Sequence, residues 1–302
     1  MTTTTPPIAT LPPAKPDSTA AVAKKKLSSP IASFLTVVIA ILWTIPTFGL
    51  AVSSFRPERA IKTTGWWTFF TDPVLTLDNY RTVLSNDGSA GLGGFFVNSF
   101  VIVIPSVIIP IAIATLAAYA FAWIDFPGRN ILFVCVFALQ IIPIQVTLIP
   151  LLSLYVDIGL GGTFWSIWIS HTIFALPFAI FLLHNFMKEI PEELVEAARM
   201  DGANHARIFF QVLMPLIRPA IAAFAIFQFL WVWNDLLVAL VFIGPGDNEP
   251  VTVATNSLLS TTGAGWNLVT AGGIISMIVP VIVFLALQRY FIRGLTAGSV
   301  KG

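Results

Sequence analysis

The chain alternates between long apolar blocks and short polar intervals. The blocks cover about residues 31–53, 95–123, 130–154, 164–186, 220–242 and 268–291. A helix rises about 1.5 Å per residue, so roughly 20 apolar residues cross the hydrocarbon of a bilayer, and each block reaches that length. The pattern predicts an all-α polytopic membrane protein with six transmembrane helices over residues 31–293. Pro105, Pro110, Pro143, Pro177 and Pro280 fall inside blocks, which predicts kinks whose freed carbonyls neighbouring helices must satisfy. The second block ends at a strong turn signal, Asp125-Phe126-Pro127-Gly128-Arg129.

Six crossings put both termini on one side. Twelve Lys and Arg residues then fall on that side, among them Lys24, Lys25, Lys26, Arg199, Arg207 and Arg293, against four on the other, Arg56, Arg59, Lys62 and Arg81. Basic residues accumulate on the cytoplasmic side of a membrane protein, so both ends are expected there. Residues 1–30, rich in Thr, Pro, Ala and Lys, have the composition of a disordered tail. The basic run at Lys24 is not read as a signal peptide, because the apolar stretch Ile31 to Ser53 is too long and lacks an Ala-x-Ala cleavage pattern. Residues 294–302 are expected to form a C-terminal cytoplasmic tail.

Between the fourth and fifth blocks lies a polar island, residues 188–219. Ile190-Pro191-Glu192-Glu193-Leu194 reads as a helix start, since Pro in a first turn forfeits no needed hydrogen bond and early carboxylates favour the positive helix end. That helix is expected to reach about Met200, where Asp201-Gly202 breaks it, because Gly enters left-handed backbone angles without steric cost. A second short helix restarts near Ala203, with Ala206, Phe209, Phe210 and Leu213 on an apolar face and Arg207, Gln211 and Arg218 elsewhere. Pro215 and Pro219 are expected to close it. Spacing alone leaves two readings open: a rigid knob that a soluble partner grips, or an amphipathic loop resting on lipid headgroups.

Composition narrows the chemistry. With 302 residues that are 56% hydrophobic and 10% charged, and a mean hydropathy of +0.86, the chain is far from a soluble domain, where about a quarter of residues are charged. A net charge of +1 without a basic stripe sets nucleic acid aside. Cys135 stands alone, which excludes an internal disulfide and a cysteine metal site. His171 and His184 are thirteen positions apart, too far to share a metal on one helix face, and His171 is read as a hydrogen-bonded bundle residue. No Gly-x4-Gly-Lys-[Ser/Thr], His-Glu-x-x-His or Gly-x-Ser-x-Gly pattern occurs, so neither an enzyme nor a cofactor is expected. Trp66 and Trp67, in the polar stretch 55–94, read as interfacial anchors.

One intramembrane charge remains, Asp235 in Trp231-Val232-Trp233-Asn234-Asp235. A carboxylate near a bilayer centre costs about 2.5–3.5 kcal/mol on insertion scales, so it faces a partner helix or a cavity and not lipid. Gln140, Gln145 and Asn234 add uncharged polar groups at membrane depth, and Trp231 and Trp233 add aromatic faces. Such a set suits a sugar, amides meeting hydroxyls and rings meeting the C–H side, and on this reading the Asn234-Asp235 pair faces the cavity.

The residues of the island resemble the EAA motif of binding-protein-dependent ABC importer permeases: Glu196-Ala197-Ala198, Asp201-Gly202-Ala203, Phe209 and Leu213-Met214-Pro215, with Met214 where Leu is usual. Further segments resemble the smaller, MalG-like subunit of the maltose-type carbohydrate permeases. These are Leu77-Asp78-Asn79-Tyr80, Ala118-Tyr119-Ala120-Phe121, Phe126-Pro127-Gly128, Trp233-Asn234-Asp235 and the end of the chain, Gly294 to Gly302. Ser53 to Arg56 with Gly65-Trp66-Trp67 look most like an α-glucoside branch. The resemblance implies a type I importer architecture in a bacterial or archaeal plasma membrane. It implies a second homologous permease, two copies of a cytoplasmic ABC ATPase gripped by the Glu196 segment, and an extracytoplasmic sugar-binding protein. It also implies that Gly294, Thr296 and Lys301 of the tail contact the ATPases, and that alternating access carries an oligosaccharide or α-glucoside. The alternative is a permease for a non-sugar solute such as an amino acid or peptide.

Overall fold

The computed structural model describes residues 30–85, 91–259 and 265–297, and among these there is no strand. The tail expected over residues 1–30 lies, but for Pro30, outside the described residues. Contacts divide the chain into Met1–Leu50 and Ala51–Gly302. The first unit holds most of α1, an unbroken helix over Pro30–Ser54. The second contains α2 (Glu58–Thr63), α3 (Asp78–Leu84), α4 (Gly93–Trp123), α5 (Arg129–Ala138), α6 (Ile144–Asp157), α7 (Phe164–Lys188), α8 (Glu192–Met200), α9 (Met214–Trp233), α10 (Leu237–Phe242), α11 (Val251–Ser257) and α12 (Trp266–Ala297).

Among the described residues, five stretches are long and apolar enough to cross a membrane: α1, α4, α7, the run His205–Trp233 and Trp266–Gln288 within α12. The third block is not one straight helix. Its halves, Arg129–Ile141 and Ile144–Asp157, meet at 98°. Pro143 causes the break: its ring disfavours helical angles at the preceding residue, and Ile142 and Pro143 are both extended, with ψ of 120° and 130°. The fifth block divides too, between Trp233 and Leu237. At the other end, α12 runs past the expected boundary at residue 293 to Ala297, since an isolated Gly294 costs a helix only about 1 kcal/mol.

α4 and α7 form the centre of the second unit. On α4 the buried residues Ile102, Ser106, Pro110, Ala114, Ala118 and Ala122 recur every fourth position, and on α7 so do Ile167, His171, Ala175, Ala179, Leu183 and Met187. Rows at this spacing are the ridges along which helices interlock, and the small residues let the backbones approach closely, as apolar solvent requires. Two cores result. One gathers Ala114, Ala118, Ala179, Leu183 and Met187 with Val195, Ile208, Phe209, Leu213 and Ile217 of the polar island. The other gathers Ile102, Val103, Ile167, Val232, Trp233, Phe242 and Val251.

Three of the prolines within helices behave as the bilayer demands. A proline has no N–H for the carbonyl four residues back, and that carbonyl is costly in hydrocarbon unless another group claims it. Pro105 frees Val101, whose oxygen accepts from the Trp168 indole at 3.0 Å. Pro110 frees Ser106, whose oxygen accepts from Gln228 Nε2 at 3.1 Å. Pro280 frees Ser276, whose oxygen accepts from the Trp233 indole at 3.1 Å. Each donor comes from another helix, so these bonds also cross-link the bundle.

A compact loop follows α1. Arg56, only 3% exposed, donates to the carbonyls of Gly65 and Ala60 and the hydroxyls of Thr64 and Thr68, and Thr76 N–H closes the loop on Phe55 O at 2.6 Å. The loop leaves Trp67 64% exposed, accessible to the interfacial role expected of it. Asn79 then ties this region to α12 by accepting from Asn267 Nδ2 at 2.8 Å.

Candidate functional site

The polar island folds as two helices about a glycine. α8 ends in a pair of reverse bonds, Ala203 N–H to Ala198 O at 2.9 Å and Gly202 N–H to Arg199 O at 3.0 Å, the arrangement that requires a left-handed residue at the position of Gly202. Gly202 has φ of +80°. The chain re-enters helix at His205, one turn capped by Asn204, whose side-chain oxygen accepts from Arg207 N–H at 2.9 Å. That cap carries the restart two residues beyond the expected Ala203.

The second helix does not close at Pro215 and Pro219. It passes through a π-helical stretch, Ile208–Leu213, directly into α9. Pro215 would clash with the carbonyl of Gln211 in a regular helix; the wider π turn, which contains Gln211, accommodates it, and Pro219 lies in the early part of α9. The wide turn also changes the apolar face. Ile208, Phe209, Leu213 and Ile217 are buried at spacings of four and five, whereas Ala206 is exposed and Phe210 is 65% exposed, so two of the four residues assigned to that face by regular spacing point out.

The result is a protrusion with one anchored side. Val195, Ile208, Phe209 and Leu213 are buried in the bundle, while Glu196, Ala197, Asp201, Gly202 and Pro215 are exposed and Ala198 and Ala203 half-buried. A hydrogen bond ties it to α4: Tyr119 Oη lies 2.6 Å from His205 Nδ1, and the Tyr119 ring packs edge-on to Phe209 at 5.3 Å. Nothing in the spacing of the sequence pointed to that pair, which is 86 residues apart.

The intramembrane polar residues separate into two places. Asp235 sits in the break between α9 and α10, where its Oδ1 accepts from Val238 N–H at 3.2 Å and its Oδ2 from Ala239 N–H at 2.9 Å. It caps the start of α10, and its backbone carbonyl accepts from Thr252 Oγ1 at 2.8 Å. The adjoining void, lined in part by Ser99, Trp233 and Pro250, is about 10 Å³, room for no more than one water. The expectation that Asp235 faces a sugar-sized cavity is therefore not met here: a helix start buried in the bundle needs its N–H groups satisfied, and this carboxylate satisfies them. Asn234 is exposed and its Nδ2 donates back to Leu230 O at 2.7 Å. Trp233 also departs from expectation. It is 2% exposed, with Phe96, Phe100 and Phe229 against its ring, so it offers no free stacking face. Trp231 is half-buried and stands perpendicular to His171, ring centres 5.0 Å apart. His171 is fully buried with no hydrogen bond to either ring nitrogen among the described residues. Its Nε2 is 3.7 Å from Asp235 Oδ2, too long for a hydrogen bond, so it is not the bonded residue expected.

Gln140 and Gln145 do come together. They flank the Pro143 break and line a cleft of about 680 Å³, walled by α6 and by Ile173, Phe174 and Pro177 of α7. Of the tail residues, Gly294 and Thr296 fall in the last turns of α12, and Lys301 lies outside the described residues. Among the described residues no group of three or more His, Cys, Asp or Glu is placed to hold a metal ion.

Comparison with known proteins places this geometry. Residues 111–297 match the model of the family described as binding-protein-dependent transport system inner membrane component. The chain is 53% identical over 268 residues to the osmoprotective compounds uptake permease protein GgtD of Synechocystis sp., covering 87% of this chain and 89% of that one. It is 50% identical over 257 residues to the alpha-glucoside transport system permease protein AglG of Rhizobium meliloti, covering 83% of this chain and 67% of that one. It also shares a fold with a chain of a bacterial ABC transporter that imports the polysaccharide alginate, with a TM-score of 0.71 at 22% identity over 92% of this chain and all of that one. The six apolar blocks, the helix–glycine–helix protrusion and these relatives lead to one conclusion: the chain is a membrane-embedded permease belonging to the family of binding-protein-dependent transport system inner membrane components.

Proposed function

We propose that this permease carries a sugar, an oligosaccharide or α-glucoside, across the plasma membrane, delivered by an extracytoplasmic sugar-binding protein and driven by ATP hydrolysis in a separate subunit. The observation that carries the reading is the protrusion. Glu196, Ala197, Asp201 and Gly202 are presented outward on a turn held by two reverse hydrogen bonds, while Val195, Ile208, Phe209 and Leu213 root it in the bundle. A soluble ATPase that grips such a knob can move the helices beneath it; an amphipathic loop lying on headgroups needs no rigid glycine turn. Two ATPase copies and a second, homologous permease complete the assembly, and ATP-driven closure rocks the two permeases between outward and inward access. The sugar is supported by two of the relatives, whose names specify alpha-glucosides and arabinooligosaccharides.

Two measurements test this. In the assembled importer, uptake competition across a panel of labelled sugars is expected to single out a glycoside, and a complex that imports only amino acids or peptides would overturn the assignment. For orientation, reporter fusions after Asp87, Gly161 and Asn248 are expected to read as external and one after His205 as internal. An internal signal at Asn248 would reverse the topology.

A further inference from the structure

Three of the prolines within helices of the second unit free carbonyls that side chains from other helices claim: Val101, Ser106 and Ser276. Two more, Pro150 of α6 and Pro177 of α7, free Val146 and Ile173. Among the described hydrogen bonds no side chain donates to either oxygen, and all four residues line the cleft beside Gln140 and Gln145. A carbonyl and the residue four positions on share one face of a helix, so each freed oxygen lies on the cleft side. The cleft lining contains no charged residue; besides the two amides its polar side chain is Thr147, whose hydroxyl donates to Ile144 O at 2.7 Å and keeps lone pairs for a ligand. Phe174 supplies a ring.

We propose that this cleft is a binding site for a neutral, polyhydroxylated solute, with the Val146 and Ile173 carbonyls accepting from hydroxyls and Gln140 and Gln145 donating and accepting around it. The site rests on the sugar-importer reading and specifies its chemistry. Carbonyls left open in hydrocarbon favour a ligand rich in O–H donors, and a lining without cations leaves an acidic sugar uncompensated when it sheds water. At about 680 Å³ the cleft falls within the range of small-molecule sites.

The test uses the whole importer in proteoliposomes with radiolabelled maltose and trehalose, a glucuronate-containing disaccharide as the acidic competitor, and sugar imported per ATP hydrolysed as the readout. Gln140→Leu/Gln145→Leu is expected to import about tenfold less sugar per ATP, while assembly and the stimulation of hydrolysis by loaded binding protein persist. Pro177→Ala, which returns an N–H to Ile173 O without altering any polar side chain of the cleft, is expected to act in the same direction; Pro110→Ala, whose carbonyl Gln228 already holds, is not. The acidic disaccharide is expected not to compete. An unchanged ratio in the double Gln variant overturns the site, as does loss of assembly, which would mark the cleft as a subunit seam. A wild-type importer that carries no neutral sugar at all would sink the sugar reading itself, a result distinct from either.

Discussion

A permease carrying Gly202→Val is expected to insert into the membrane and yet to lose ATPase association and uptake together. Gly202 holds φ of +80°, where β-branched side chains are strongly disfavoured. A Cβ at this position would meet nothing within 4 Å, so the penalty is in the backbone and amounts to about 1–3 kcal/mol. The turn is exposed and held by two reverse hydrogen bonds, Ala203 to Ala198 and Gly202 to Arg199, whose net worth is about 0.5–1.5 kcal/mol each. The strain is of the same size as the bonds that resist it, so the turn opens. Glu196 and Asp201 then no longer stand at a defined distance from Phe209, while the buried anchors Val195 and Leu213 keep the bundle intact. Gly202→Asn serves as the control, because Asn tolerates left-handed angles and the site has room for it; it is expected to retain most of the uptake. Co-purification of the ATPase and transport in vesicles read the result, and normal uptake by Gly202→Val would refute the role of the turn.

Asp235→Ala is expected to lower the thermal stability of the assembled importer without changing which sugar it prefers. The carboxylate accepts from two backbone N–H groups at the start of α10, and losing such a cap costs about 0.5–2 kcal/mol. The cost tends to the upper end here, since the orphaned N–H groups are buried with Val238 and Ala239 and cannot turn to water. Asp235→Asn keeps an acceptor and is expected to recover part of the loss. Asn234→Ala, at an exposed position, is expected to leave the melting temperature nearly unaltered. A fluorescence-detected melting curve and uptake across the sugar panel separate the cases. A shift in sugar preference at unchanged stability would return Asp235 to the substrate path.

The residues that sequence reasoning placed correctly are those whose reasons are local. Apolar block length sets the spans because hydrocarbon cannot satisfy a bare backbone, and Gly202 marks its own turn because only a residue without Cβ occupies that region freely. Partnership across the fold was beyond reach. That Trp233 donates to a carbonyl freed by Pro280, 47 positions later in the chain, and so has no face left for a sugar, depends on which helices pack side by side. Asp235 reads as an intramembrane charge in search of a partner; that the partner is the next helix's own N–H groups follows from a break between Trp233 and Leu237 that no proline or glycine announces. Arg56 reads as an external charge, yet four acceptors of its own loop enclose it. The apolar face of the second island helix was misread for a related reason. A period of 3.6 is a property of the α-helix, and the π stretch before Pro215 replaced it with a wider one, exposing Phe210 and burying Ile208. Composition and spacing determined that this chain spans a membrane and that its polar island turns at Gly202. Which polar groups remain free for a ligand was decided by tertiary packing, because a donor or acceptor is available only once the neighbouring helices have taken theirs.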